Sequence, residues 1–573
     1  MNDRRLGVYI CHCGGNISDY VDVDRVRDAI KDEPGVIISK ATMFTCSDAA
    51  QQEIVEDIKE KDLDGIVVAS CSPKLHLFTF RDVAKRAGLN QYQYIQVNLR
   101  EQDSWAHTND KKGATEKGIR LLRNGIAKVR LTEPLQPIKV KTVPRVLIIG
   151  AGIAGLRAAI GLSDLGIEVH IIEKSPAVGG WMIKFDKIYP HDKIGNKIIE
   201  DFIAEVKKRD NVFLYTGTEV IEKSGSLGNF SVKLKTGDKD ELSIIVGSII
   251  VATGFNVYQP ETGEFGYGIE NVVTLPEFKE LIDRSDGRIF YNDKEINNIV
   301  YIYCVGSRQQ PTIENANTYC SCYCCNSAIH SGILVSGINP DIHQFHLCRD
   351  IRTYGKYEVL YEEACKKGSV FIEYGEDSPP AVEKADGKVK VLVKDLLTES
   401  EELEINADLV VLVTGMVPRE NKKLIDVLKL PVGLDKFFNE IHPKLRPVET
   451  VVDGVFICGT SQSPKNSSES VASALSAAAK SASLLMKGYV ELEPVIATVY
   501  PDLCSWCGLC SEVCPYDAIT REKYAGKEIA VVNNSLCKGC GACVPVCPYD
   551  AVDLKYYTDR QVKAMIDALV QDV

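Results

Sequence analysis

No apolar run in the 573-residue chain approaches the roughly 20 residues needed to cross a bilayer. Asn2–Arg5 is polar, and the first apolar run, Leu6–Ile10, is too short for the core of a secretory leader. The expectation is a soluble, cytoplasmic protein without a membrane span. An excess of basic residues is also missing. The formal net charge of −12 argues against nucleic acid or an anionic membrane as partner. Residues 220–300 hold no cysteine, and no second G-x-G-x-x-G follows the first. Hydrophobic content of 45% and charged content of 25% are ordinary for a globular chain, and the length predicts about three to four domains.

Cysteine is what the chain has in excess, with 20 residues. In a reducing compartment so many thiols point to metal or redox chemistry rather than disulfides. Cys11, Cys13, Cys46 and Cys71 lie early; Cys304, Cys320, Cys322, Cys324 and Cys325 lie in the middle. Cys348, Cys365 and Cys458 stand apart and read as small buried hydrophobes. The other eight form two regular runs, Cys504-x-x-Cys507-x-x-Cys510-x-x-x-Cys514-Pro515 and Cys537-x-x-Cys540-x-x-Cys543-x-x-x-Cys547-Pro548. This is the bacterial two-cluster ferredoxin spacing, in which the fourth cysteine of each run crosses to the other cluster. It predicts one cluster on Cys504, Cys507, Cys510 and Cys547 and a second on Cys537, Cys540, Cys543 and Cys514. Residues 484–500 read as a linker into this domain, and Thr558–Val573 as an amphipathic helix that packs or meets a partner.

The stretch Arg145–Trp181 organises the centre of the chain. An apolar strand, Val146–Ile149, runs into Gly150, Gly152 and Gly155. A helical pattern continues to about Leu165, and a second strand, Glu168–Ile172, ends on Glu173. Gly150 suits the tight turn, Gly152 the close approach of a pyrophosphate, and Gly155 helix–strand packing. The helix N-terminus, where Ala154 also lies, offers free N–H groups to phosphates. Glu173 is placed to accept from a ribose 2′-OH. The motif alone does not separate FAD from NAD, and its bland alternative is a glycine-rich loop without a ligand.

The tail Glu173-Lys174 … Val178-Gly179-Gly180-Trp181 resembles the FAD half of the two-dinucleotide flavoprotein family that includes thioredoxin reductase. Val251-Ala252-Thr253-Gly254-Phe255 and Gly454-Val455-Phe456-Ile457-Cys458-Gly459-Thr460, ahead of a small-residue helix from about Ser470, match the same family. Family members usually carry Gly-Asp where this chain has Gly459-Thr460. The resemblance implies FAD held by Gly150, Gly152, Ala154, Gly155, Glu173, Lys174, Gly180, Trp181, Ala252, Thr253, Gly254, Gly459 and Thr460.

Residues 1–140 read as a separate α/β domain, with strands at Leu6–Ile10, Gly65–Ala69 and Tyr94–Val97. Its four cysteines lie just after such strands, at Cys11-His12-Cys13, Phe44-Thr45-Cys46 and Cys71-Ser72-Pro73. Strand ends of an open parallel sheet share one edge, where ligands bind. Four thiolates there suit a [4Fe–4S] cluster; a zinc site or four unconnected thiols are the alternatives. Residues 141–255 read as the first FAD segment, 256–400 as an inserted pyridine-nucleotide-like domain, 401–490 as the second FAD segment beginning with Leu409–Thr414, and 491–573 as the ferredoxin domain. In the insert, the strand Ile299–Tyr303 meets Cys304-Val305-Gly306-Ser307-Arg308 instead of a glycine fingerprint, so loss of NAD binding is expected. The patch Cys320-Ser321-Cys322-Tyr323-Cys324-Cys325 follows. With Cys304 it offers five thiols for four places on a cluster, against a disulfide switch or a zinc knuckle.

The C-x-C-G-G-N start, Cys71-Ser72-Pro73, the FAD fingerprint, Cys304-Val305-Gly306-Ser307-Arg308 and the C-x-x-x-C-C patch occur together, and the chain resembles the A subunit of heterodisulfide reductase over nearly its whole length. The expected architecture is α/β: a thioredoxin-reductase-like two-dinucleotide-fold flavoprotein core, an N-terminal α/β domain and a C-terminal bacterial-type 2[4Fe–4S] ferredoxin domain. The resemblance implies middle ligands Cys304, Cys320, Cys324 and Cys325, with Cys322 as the extra thiol, and a cluster on Cys11, Cys13, Cys46 and Cys71, making about four [4Fe–4S] clusters with FAD. Methanogen members carry a further ferredoxin insert, which the cysteine-free residues 220–300 exclude here.

It also implies a subunit that takes electrons from a hydrogenase, formate dehydrogenase or NADH-oxidising partner and divides them by flavin-based bifurcation between ferredoxin and a disulfide-reducing partner. B- and C-like subunits, and a homodimer within a larger complex, are the implied assembly. The rivals are an NAD(P)H-dependent flavin oxidoreductase subunit like the small subunit of glutamate synthase, which needs a second glycine fingerprint, and a plain electron-transfer module. His330, five residues past Cys325, is the candidate for tuning the flavin, since histidine titrates nearest neutral pH. Its bland role is a hydrogen bond in the core.

Overall fold

Runs of aliphatic and β-branched residues that are buried at every position set the sheets: Leu6–Cys11, Gly65–Ser70, Ser248–Val251 and Leu409–Thr414. Strands with no solvent face belong to parallel sheets covered by helices on both sides. The computed structural model describes residues 4–189, 193–237, 240–385, 387–398 and 401–570. The chain divides into two units, Met1–Val140 with Glu491–Val573, and Lys141–Val490. Among the described residues no helix is long and apolar enough to cross a membrane.

The first unit holds a four-stranded parallel sheet in the order Val36–Thr42, Leu6–Cys11, Gly65–Ser70, Tyr94–Asn98. Val36–Thr42 escapes the sequence pattern because it is an edge strand, half-buried and interrupted by Ser39 and Lys40. The ferredoxin segment adds two antiparallel pairs, Ala497–Val499 with Val552–Leu554 and Ile519–Tyr524 with Lys527–Val532. So the linker expected over 484–500 is partly strand, and the helix before it runs to Leu485.

The N-terminal α/β and ferredoxin segments, expected as separate domains, form one unit. The terminal helix Asp559–Val570 packs on the helix Lys111–Val129. Gln561 donates to the carbonyl of Leu131 at 2.8 Å, and Asn124 to that of Met565 at 3.0 Å. The buried Lys128 ammonium lies 3.2 Å from the ring centre of Tyr557. Residues 571–573 of the expected helix lie outside the described residues.

The second unit repeats one architecture. Its first sheet runs Val212–Thr216, Glu168–Glu173, Arg145–Ile149, Ser248–Val251, Val455–Ile457, all parallel. Its second runs Val370–Glu373, His343–Cys348, Asn298–Val305, Leu409–Thr414, Val272–Thr274, also parallel. In each, the central strand is followed by two that step outward on one side. A three-stranded antiparallel meander comes before the strand on the other side: Thr218–Ser226, Asn229–Thr236 and Asp240–Val246 in the first, Ala381–Ala385, Lys388–Asp395 and Glu401–Ala407 in the second. The middle meander strands alternate buried and exposed residues, as sheets with one solvent face do.

One boundary moves. Leu409–Thr414, expected to open the returning FAD segment, pairs with Asn298–Val305 and Val272–Thr274 in the second sheet. A fully buried apolar strand looks the same in either sheet, so its partner is not legible from its own residues. The first sheet is completed only by Val455–Ile457.

Candidate functional site

A cavity of about 430 Å³ opens past the C-terminal ends of Arg145–Ile149 and Ser248–Val251. Two glycines are demanded by the protein around it. Gly150 has φ +110°, and a Cβ there would meet the Ala252 carbonyl oxygen at 2.3 Å; a Cβ on Gly155 would lie 1.9 Å from the Gly150 carbonyl oxygen. Gly152 differs. It lines the cavity at the start of the helix Ile153–Asp164, and a Cβ there would meet nothing within 4 Å. No side chain caps that helix, so its first N–H groups face the cavity. Thr253 lines the same wall, and its buried hydroxyl has no hydrogen-bond partner among the described residues. Open space before a helix N-terminus and an orphaned hydroxyl fit a dinucleotide.

Ala154, Glu173, Gly180, Trp181, Ala252, Gly254 and Thr460 also line the cavity. The Glu173 carboxylate accepts from the N–H groups of Ala151 at 2.8 Å and Ser175 at 3.0 Å, which fixes it at the rim. Gly150, Gly155 and Gly459 stand behind the wall; a Cβ on Gly459 would lie 2.8 Å from that of Ala154. Lys174 is not on the wall: it is exposed and pairs with Glu219 at 2.8 Å. Its sequence neighbour Glu173 points inward, and in a strand the next side chain points to the other face.

Several wall residues went unnoticed in the sequence. Lys465 donates to Ser463 at 2.6 Å and Gln462 at 3.2 Å, and burial pushes its ammonium pKa down. The signal was a lone lysine just ahead of a helix cap. The small-residue helix begins at Ser467, three residues earlier than expected, because Asn466 and Glu469 form a capping box there. Arg419 donates to the Phe255 carbonyl at 3.3 Å, as the Trp181 indole does at 3.2 Å. Tyr323 and Ser327 also reach the cavity, as does the buried His330 singled out in the sequence, whose ring meets that of Tyr189 edge-on at 6.3 Å.

Those three residues lie on or just before the helix Cys324–Ile338, whose first two residues are the paired cysteines. A hydrogen bond with Cys325, then burial, then the charges of Cys304 and Cys320 push the Cys324 thiol up. The four expected middle ligands therefore share one neighbourhood. Cys322 hugs Cys320, giving its N–H to the Cys320 sulfur at 3.4 Å. Asn326, fully buried beside Cys325, has neither amide atom hydrogen-bonded among the described residues. A dense set of thiols with an unsatisfied buried amide suits a group not made of protein. Cys348 is buried near them, its thiol pushed up to about 12 by burial and then by Cys325. Cys458 is buried too. Cys365, expected to be buried, is exposed on the helix Glu358–Lys366, which has little core to cover.

The strand that begins this site ends against an aromatic ring. Gly306 has φ +69°, and a Cβ there would fall 1.9 Å from the Tyr258 ring.

In the first unit the four early cysteines follow three strand ends on one sheet edge, as expected. The Cys11 sulfur accepts from the N–H groups of Cys13 at 3.2 Å and Thr45 at 3.4 Å. Arg100, just past the fourth strand, donates to the Cys13 sulfur at 3.5 Å. Burial pushes the Cys71 thiol up to about 11, against the pull of Arg100, with Cys13 and Cys11 adding to it. Burial, then Cys11, raises Cys46.

In the ferredoxin segment, one small cavity is lined by Cys504, Cys507, Cys510 and Cys547, and another by Cys514, Cys537, Cys540 and Cys543. The fourth cysteine of each run thus crosses to the other group. Backbone N–H groups of Ala530, Ala551, Ala518 and Ala497 donate to Cys504, Cys547, Cys514 and Cys537 at 3.3 to 3.4 Å. Among the described residues no three His, Cys, Asp or Glu side chains close on one point as a single metal ion requires. A four-iron cubane spaces its ligands more widely.

The comparisons with known proteins agree with this geometry. The family model "Pyridine nucleotide-disulphide oxidoreductase" matches residues 144–300, and "4Fe-4S dicluster domain" matches residues 503–551. The A subunit of the H(2):CoB-CoM heterodisulfide,ferredoxin reductase of Methanothermobacter thermautotrophicus is 36% identical over 91% of this chain and 91% of its own. The chain belongs to the family of heterodisulfide reductase A subunits. Another member, the A subunit of the H(2)/formate:CoB-CoM heterodisulfide,ferredoxin reductase of Methanococcus maripaludis, is 33% identical over 93% of both chains. A protein of Archaeoglobus profundus, named for its likeness to the heterodisulfide reductase A subunit, is 31% identical over 91% of this chain and 92% of its own. Among solved structures, thioredoxin reductase of Lactococcus lactis covers 60% of this chain and 99% of its own at a TM-score of 0.41 and 20% identity. As a family member the chain is a flavin and iron–sulfur electron-transfer subunit, an oxidoreductase carrying FAD and [4Fe–4S] clusters.

Proposed function

We propose that this subunit receives electron pairs from a hydrogenase-, formate dehydrogenase- or NADH-linked partner and divides them between ferredoxin and a disulfide-reducing partner built from B- and C-like subunits. The observation that carries this is the helix Cys324–Ile338. Its start presents Tyr323, Ser327 and His330 to the flavin cavity and Cys324 and Cys325 to the middle thiols. Flavin, when bound, exchanges electrons in pairs or singly, and iron–sulfur clusters singly, so adjoining sites suit a point of division.

The residues have separable tasks in this proposal. The N–H groups after Gly152 hold the pyrophosphate, and Glu173 the adenosine ribose. Trp181, Tyr323 and Phe255 wall off water. Lys465 and His330 supply positive charge or a proton near the ring. Four clusters are held by Cys11, Cys13, Cys46 and Cys71; by Cys304, Cys320, Cys324 and Cys325; and by the two crossed ferredoxin sets. Cys322, Cys348, Cys365 and Cys458 remain as thiols. Tyr258 on Gly306 speaks against direct NAD(P)H binding and so against the glutamate-synthase-like rival.

The test is anaerobic turnover of the complex co-purified with this chain. Ferredoxin reduction that occurs only while a disulfide acceptor is being reduced supports the division of pairs. Ferredoxin reduction at full rate without that acceptor rules it out.

A further inference from the structure

The cysteine sites differ in the charge around their sulfurs. At the middle site, Arg308 lies 3.9 Å from the Cys304 sulfur and is tied to Asp350. Arg352 donates to the other oxygen of Asp350 at 3.0 Å and acts on Cys320. Arg349 donates to the carbonyls of Ser307 at 3.2 Å and Arg308 at 2.9 Å, pairs with Glu376 at 3.2 Å, and acts on Cys304. Three guanidiniums thus face two carboxylates. At the N-terminal site one guanidinium, Arg100, reaches Cys13 and is matched by Glu101 at 2.8 Å. Among the described residues no guanidinium hydrogen-bonds a ferredoxin-site sulfur. Backbone N–H groups reach sulfurs at every site, so they do not separate the sites.

A thiolate-bound cluster gains negative charge when reduced, and a nearby cation favours that form and raises the potential. Arg308 and Arg349 are largely buried, which limits screening by salt.

We propose that the collar of Arg308, Arg349 and Arg352 makes the middle site the highest-potential iron–sulfur site of the chain, the N-terminal site the next, and the ferredoxin pair the lowest. This rests on the ligand sets proposed above. Arg308 and Arg352 are positioning residues, acting on the site through its sulfurs.

The experiment is an anaerobic redox titration of the full chain, followed by EPR. The signal lost in Cys324→Ala marks the middle site and should be the first to reduce as the potential is lowered. Arg308→Gln should change the oxidised-to-reduced ratio of that signal at fixed ambient potential at least tenfold, about 59 mV downward for a one-electron couple. Arg308→Lys should restore most of it, and the other signals should stay in place. Arg352→Gln should shift the same signal in the same direction, which keeps the test open if Arg308→Gln loses iron. A middle signal that reduces after the others, or one unmoved in both glutamine variants, overturns the collar. Unchanged iron and spectra in Cys324→Ala overturn the ligand set instead, and the collar with it.

Discussion

In the first sheet of Lys141–Val490 the central strand ends at Ile149 and the helix begins at Ile153; in the second the central strand ends at Val305 and the helix begins only at Cys324. Four strands and the intervening meander otherwise follow the same order, while the fifth strand comes last in the chain in the first sheet and first in the second. A short glycine turn holds a helix N-terminus against the strand end, which makes an anion site. A long connection replaces that turn and folds back on the strand end, where the Ser321 N–H donates to the Ser307 hydroxyl at 3.1 Å and the Arg308 N–H to the Tyr319 carbonyl at 2.9 Å. In the second sheet the Tyr258 ring abuts Gly306 just past the strand end, and Cys304 stands beside Cys324 and Cys325. One backbone plan thus carries a short glycine turn in one sheet and a long, cysteine-bearing connection in the other.

The difference can be broken from the flavin side first. Gly152→Val should leave the fold intact, because its Cβ has free space, yet lower flavin content at least tenfold, measured by absorbance and thermal melting. Gly155→Val should instead cost roughly 1–3 kcal/mol or more of stability, since its side chain would strike backbone. Retained flavin in Gly152→Val would mean that the open space is not the pyrophosphate's.

From the thiol side, Cys324→Ala should remove about a quarter of the iron, counting four irons per cubane, while flavin stays. Equal loss of flavin and iron would show the two sheets to be inseparable. The missing glycine turn predicts that NADH does not reduce the flavin of the isolated subunit rapidly, even in Tyr258→Ala, because the connection that folds back through Tyr319 and Ser321 still lies on the strand end. Rapid reduction in a stopped-flow mixing experiment would restore the second sheet to nucleotide binding.

His330 belongs to the helix between the two sites. His330→Gln should lower the flavin midpoint potential by on the order of 30 mV, one tenfold step for a two-electron couple. An unchanged potential would leave the tuning to Lys465 and the helix at Ser467.

The smallest effect concerns the N-terminal sheet, a third parallel sheet with cysteines past its strands. Asp103 there is fully buried, and burial, opposed by Lys117, raises its pKa to about 6. The folded state therefore holds a proton that the unfolded chain releases near pH 4. Its stabilising contribution is complete below about pH 4 and is lost as pH rises to about 6. Asp103→Asn should add about 1–2 kcal/mol at pH 7 and nothing near pH 4, read from denaturant midpoints.

Where spacing alone carries the chemistry, the sequence was enough. The crossed ferredoxin groups and the glycine turn at Gly150 follow from local chain geometry and appear at the expected residues. Where partners are distant in the chain it was not. Leu409–Thr414 carries no mark of which sheet it joins, and the half-buried Val36–Thr42 carries little mark of being a strand. Lys465 and Arg419 reach the cavity only because the fold returns there. The arginines around Cys304 and Cys320 lie up to 32 residues from the nearer of these two cysteines in sequence, yet act on one or the other. The docking of Asp559–Val570 on Lys111–Val129 likewise depends on surfaces that no local pattern identifies as mates.

The helix Cys324–Ile338 turns about 100° per residue. Tyr323, Ser327 and His330 share one of its faces, and Cys324 and Cys325 point away from it. Adding or removing one residue between Cys325 and Ser327 would rotate Ser327 and His330 against Tyr323, Cys324 and Cys325 by more than a quarter turn. The sequence over this stretch is therefore held in phase: substitutions can be absorbed there, but changes of length cannot, so variation among homologous chains should spare the spacing of Cys324, Ser327 and His330 even where it alters the residues between them.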